Sequence, residues 1–179
     1  MSGMTVKRAV AGLVAALAAV SSAMPGKGEF KKAQPIVNEL MAPLVNDFKA
    51  KKKSALEVGA GAEAYAREAE TEAAKFLLLK GAVTYYARAG EYDKAATAVD
   101  ALYAAVKDIP ADVMLDIISR ATSRISEDNA PRLYSQYRMV SARAKAEKEL
   151  SKLKAQLAKR LSDAAARRRY AELLAVSGD

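Results

Sequence analysis

Residues 75–103 read KFLLLKGAVTYYARAGEYDKAATAVDALY. Leu79, Ala82 and Tyr86 fall at i, i+3 and i+7 in the first half, and Ala95, Val99 and Leu102 form a matching stripe in the second. Each half thus carries an apolar face with the period of an α-helix. Gly90 separates them, and glycine takes the left-handed conformation that follows a helix C-terminus without steric cost. Arg88 suits the negative end of the first helix, while Glu91 and Asp93 suit the positive start of the second. The stretch predicts an αα-hairpin with a continuous apolar seam. Gly90 is its turn, and Tyr86, Tyr92 and Ala95 are packing residues.

On these residues the hairpin resembles one tetratricopeptide repeat. That pattern sets an aromatic or Leu, a small residue and a Tyr on its first helix, then Gly-x-Tyr, Ala and an apolar residue on its second. Leu79, Tyr86, Gly90, Tyr92, Ala95 and Val99 fall at matching spacings. Val83 stands where the small residue belongs, Pro110 lies later than the closing proline, and no second copy follows at the expected period. The resemblance implies a packing role for the hairpin tyrosines. The phrase AAKFLLLKGAVTYYARAGEYDKA is also similar to helical segments that precede sulfatase-modifying-factor-like domains in some exported bacterial proteins. These 179 residues hold no such catalytic domain, so that likeness carries no activity with it.

The length predicts one domain plus extensions. With 51% apolar residues a core is within reach, and a chain of this size buries roughly 70% of its unfolded surface. Abundant alanine and short β-branched runs favour helices throughout. There is no Cys, His or Trp. That removes disulfides, thiol nucleophiles and thiolate metal sites, and with them the commonest general base and zinc ligand.

Lys7 and Arg8 precede an apolar run over 9–20, followed by Ser21-Ser22-Ala23. A basic segment, a short apolar segment and small residues at −3 and −1 make up a secretory signal. Residues 1–23 are read as that signal, with a mature chain over 24–179 and an exported, periplasmic or secreted location. The run is shorter than the roughly 20 residues that span a bilayer, so the mature chain is expected to lack a transmembrane anchor.

Residues 24–61 read as an N-terminal helical arm and linker: a loose basic leader to Lys32, and a helix from Pro35 with the stripe Ile36, Leu40, Leu44 and Phe48. Pro43 is expected to kink or split it, and Gly59-Ala60-Gly61 to form a flexible link. Residues 62–146 read as the helical-hairpin domain. One helix is expected over 62–89 and its partner over 91–107. A second hairpin has Met114, Ile117, Ile118, Ala121 and Ile125 on one helix and Leu133, Tyr137, Val140 and Ala144 on the next. Two hairpins in series predict an all-α fold of stacked, solenoid-like pairs.

Residues 147–179 read as a long basic C-terminal helix. Leu150, Leu153, Leu157 and Leu161 continue a stripe, rotated roughly a quarter turn from the one before it. Without Lys7 and Arg8 the chain has 27 basic and 21 acidic side chains. Residues 143–172 alone hold ten basic and four acidic ones, which is the whole imbalance.

The catalytic motifs do not hold together. Gly59-Ala60-Gly61 follows no strand, so it is not a dinucleotide loop. Ser151 and Lys154 make an S-x-x-K in a lysine-rich helix without its companion motifs. Glu68 and Glu72 share a helix face that Glu70 leaves. No catalytic residue, metal ligand, cofactor or small-molecule substrate is expected. The expected function is non-enzymatic protein–protein interaction or scaffolding at the cell envelope, with a protein partner at Tyr85 and Tyr103. The alternative is an acidic partner or polyanion on Arg167, Arg168 and Arg169.

Overall fold

The computed structural model describes residues 24–123, 125–159 and 164–177. Among these, seven α-helices and one 3-10 turn carry the fold and no strand forms. They are α1 Lys27–Lys49, α2 Ala55–Glu68, α3 Glu72–Arg88, α4 Tyr92–Ala105, α5 Ala111–Thr122, the 3-10 turn Glu127–Asn129, α6 Pro131–Lys159 and α7 Ala164–Ser177. The all-α expectation holds, and the helices pack as stacked hairpins. The signal segment 1–23 and Leu161 lie outside the described residues.

Helix α3 is the hub, packing on α1, α2, α4 and α5. Its Phe76, Leu78, Leu79, Ala82, Val83 and Tyr86 are all buried, because α3 has neighbours on more than one side. The α3–α4 hairpin closes as the sequence requires. Gly90 has φ +77°, and the Glu91 N–H returns to the Tyr86 carbonyl at 3.0 Å. Ala95, Val99 and Leu102 are fully buried on the facing helix.

The expected single helix over 62–89 is two helices. Ala69 turns to an extended conformation, and Thr71 caps α3 by accepting the Ala74 N–H on Oγ1 at 3.2 Å. The expected glycine link is instead the interior of α2. A capping box starts that helix, with the Ser54 N–H donating to Glu57 Oε2 at 2.7 Å and the Glu57 N–H to Ser54 Oγ at 3.3 Å. Gly59 is there for space. A Cβ built on it would lie 2.8 Å from the Tyr86 ring, so glycine lets α2 approach α3 closely.

The N-terminal arm also differs. Helix α1 begins at Lys27, not at Pro35, with Glu29 Oε2 accepting the Gly26 N–H at 2.7 Å. It runs unbroken past Pro35 and Pro43. Both prolines are exposed, as are Lys31 and Glu39 four residues before them, so the carbonyls that a proline leaves without partners lie on the solvent side of the helix. The buried face is Ala33, Val37 and Met41, while Ile36 and Leu40 are 58% and 41% exposed. Only Leu44 and Phe48 of the expected stripe pack on the core.

Helix α6 presents two faces in succession. Leu133 and Val140 are buried, and Gln136 Nε2 donates to the Ala96 carbonyl of α4 at 3.1 Å. Glu147 Oε2 accepts the Ala111 N–H at the start of α5 at 3.2 Å. Beyond that point the Leu150–Leu153–Leu157 stripe is half-buried, and α7 packs on α6 with Ala166 and Leu173 buried. The expected single C-terminal helix is thus a helical hairpin made by the end of α6 and α7.

Candidate functional site

Three helices end beside one another at one place in the fold. The last turns of α1, α3 and α5 bring Phe48, Arg88 and Arg120 to one groove, with Tyr92 and Ile125 also on its walls. Its volume is about 590 Å³, within the range of small-ligand and peptide pockets. Phe48 and Tyr85 meet edge to face at 5.7 Å between ring centroids. The Arg88 guanidinium carbon lies over both rings, 5.8 Å from Phe48 and 5.9 Å from Tyr85. Rings attract the cation through their quadrupoles without occupying its N–H donors. Arg120 is held by Asp116 at 2.9 Å one turn earlier on α5. The groove lining carries two guanidinium groups and no carboxylate.

Of the residues expected to bind a partner, Tyr85 is half-buried against Phe48 and does not itself line the groove. Tyr103 lies elsewhere, half-buried beside Arg143 and Glu147, and burial raises its phenol pKa. Tyr92, expected as a packing residue, is half-buried and lines the groove. Tyr86 is buried as expected, and its hydroxyl donates to Glu63 Oε2 at 2.7 Å. Burial, and then Glu63, push that phenol well above its ordinary pKa. The hydrogen bond from Tyr86 in turn holds the Glu63 carboxyl below its usual range.

The arginine triplet divides. Arg169 Nε donates to Glu149 at 2.9 Å and also pairs with Glu172, joining α7 to α6. Arg167 and Arg168 are exposed and have no carboxylate partner among the described residues. Lys145, Lys148 and Lys152 share one exposed stripe of α6; Lys152 acts on the Glu149 carboxylate, and Lys145 and Lys148 have no carboxylate partner among the described residues. No described group of three or more acidic side chains is placed to hold a metal ion.

Phe48, Arg88 and Arg120 carried no site signal in the sequence, because the three lie far apart along the chain and in three separate helices. Arg88 read there as an ordinary helix-end charge. Comparison with protein-family models, curated proteins and solved structures finds no match. The tetratricopeptide resemblance therefore rests on the quoted residues alone.

Proposed function

We propose that this chain is a non-enzymatic protein-interaction or scaffolding module of a bacterial cell envelope. The observation that carries the reading is the groove at the joined ends of α1, α3 and α5, whose walls combine Phe48, Tyr92 and Ile125 with two arginines. Aromatic and arginine side chains are the types that anchor protein interfaces. Export rests on Lys7-Arg8, the apolar run over 9–20 and Ser21-Ser22-Ala23. No described helix is long and apolar enough to cross a membrane. The test is a pull-down from native envelope at low and high salt, with mass spectrometry of the bait's N-terminus. A salt-tolerant partner lost on Tyr92→Ala, on bait beginning at Met24, is the expected result. An intact N-terminus on wholly cytosolic protein removes the export reading.

A second reading is polyanion binding through the C-terminal hairpin. It is favoured by the exposed Lys145, Lys148, Arg167 and Arg168, which have no carboxylate partner among the described residues, with Lys152 beside them. Binding of that kind weakens steeply with salt and depends on those residues rather than on Tyr92.

A further inference from the structure

We propose that the groove between the ends of α1, α3 and α5 takes an acidic peptide segment carrying a large apolar side chain. A side-chain carboxylate would sit on Arg88 and Arg120, and the apolar group against Phe48, Tyr92 and Ile125. This rests on the interaction reading and adds the chemistry of the partner.

Three observations carry it. First, Arg88 is exposed, lies over two rings and has no carboxylate partner among the described residues. A charge near the C-terminus of α3 would satisfy the helix dipole from any rotamer. The two rings do more: they favour the guanidinium where it lies, while no described hydrogen bond occupies its N–H groups, which can take a bidentate acceptor. Second, among the described residues Arg120 pairs with Asp116 alone, an exposed pair within one helix. Such pairs hold weakly, so an incoming carboxylate competes for this guanidinium at little cost. Third, every charge on the groove walls is positive, while the rest of the lining is largely apolar or aromatic. A basic peptide would meet the Arg88 and Arg120 charges, and a purely apolar one would bury the Arg88 guanidinium without a partner. An acidic segment with one aromatic or aliphatic residue satisfies both parts of the surface.

The test is a nitrogen-15 NMR titration of the full chain. The probe is an acetylated, amidated peptide of sequence Glu-Phe-Asp-Leu-Glu, run beside its Gln-Phe-Asn-Leu-Gln counterpart and inorganic phosphate. Saturable shifts are expected around Phe48, Arg88, Tyr92 and Ile125 with the acidic peptide alone. Arg88→Gln with Arg120→Gln should weaken binding by about tenfold or more, the usual effect of removing charge-assisted hydrogen bonds. Arg88→Lys keeps the charge but loses the fork, and should fall between. Arg167→Gln with Arg168→Gln should leave the shifts unchanged. A dispersed spectrum for each variant shows that it has folded. Equal binding of the amide peptide, equal shifts with phosphate, shifts confined to 145–168, or no saturation would each overturn the proposal. An envelope partner that survives the double arginine substitution but is lost on Tyr92→Ala would overturn it while leaving the scaffold reading intact.

Discussion

Two helical glycines differ in what surrounds them, and that sets opposite outcomes for the same substitution. At Gly59 an added methyl meets the Tyr86 ring at 2.8 Å. The ring is wedged in the core and its hydroxyl is tied to Glu63, so it cannot swing aside. Gly59→Ala is expected to cost about 1–3 kcal/mol, the range for overpacking. Gly81, in the middle of α3, has open space where its Cβ would go. Gly81→Ala should therefore stabilise by about 0.5–1 kcal/mol through helix propensity. Urea melts of the two variants check both signs. Tyr86→Phe tests the hydrogen bond itself and should cost about 1–2 kcal/mol at neutral pH. The Tyr86 hydroxyl is the largest cause that depresses the Glu63 pKa. A depressed carboxylate stabilises the fold above its unfolded pKa and loses that contribution as pH falls through the folded one. The gap between wild type and Tyr86→Phe should therefore close below about pH 4. Melts from pH 7 to pH 3 read this, and a constant gap would assign the cost to packing.

At the scale of elements, helix α1 separates period from phase. Its apolar residues recur at helical spacing over both Ile36–Leu40–Leu44–Phe48 and Ala33–Val37–Met41. Only the second set is buried throughout. Side-chain size favoured the first set, but the face that α1 turns to α2 and α3 is centred on the second, and only Leu44 and Phe48 of the first reach the core from its edge. Ile36→Ser should change stability by no more than about 0.5 kcal/mol, whereas Val37→Ala should cost about 1–3 kcal/mol. Thermal melts that reversed this order would put the register of α1 out by one residue. The same physics explains what was legible in the α3–α4 hairpin. Gly90 has one conformational role there, and Ala95 sits at a seam too tight for a larger residue. Ala95→Leu should cost about 1–3 kcal/mol. The break at 69–71 was not legible, because alanine and glutamate on both sides favour helix and only Thr71 marks a cap. Gly59 and Gly61 misled for the opposite reason. Glycine reads locally as a breaker, yet here it is selected by a tertiary contact that no local pattern contains. The groove was illegible for a similar reason, since its residues meet only once α1, α3 and α5 are packed.

For the whole molecule, the question is where the core ends along α6. The hydrogen bonds that tie this helix to α4 and α5 run from Arg132 to Glu147. Gln136 spans to both the Ala96 carbonyl and the Asp100 carboxylate, and Glu147 serves an N–H at the start of α5 that has no partner within its own helix. After Lys148 the leucines are half-buried, α7 packs on α6, and Arg169 with Glu149 joins the two helices. The C-terminal hairpin thus satisfies itself. With α7 packed on this part of α6, half-burial of Leu150, Leu153 and Leu157 is reached without the N-terminal arm or a second copy of the chain. Truncation after Lys148 should leave a cooperatively folded protein whose melting temperature lies within about 5 °C of the full chain, the shift that ~1 kcal/mol produces in a domain of this size. Truncation after Ser135 removes Gln136, Val140 and Glu147 together and should abolish cooperative melting. Circular dichroism and sedimentation of the three chains check this. The first truncation also separates the two surfaces, since the groove residues lie wholly before the cut and Arg167 and Arg168 beyond it. It should retain groove binding and lose most of any salt-sensitive polyanion binding. If it unfolded instead, the hairpin would be part of the core, and the charge on α7 could not be assigned a role apart from stability.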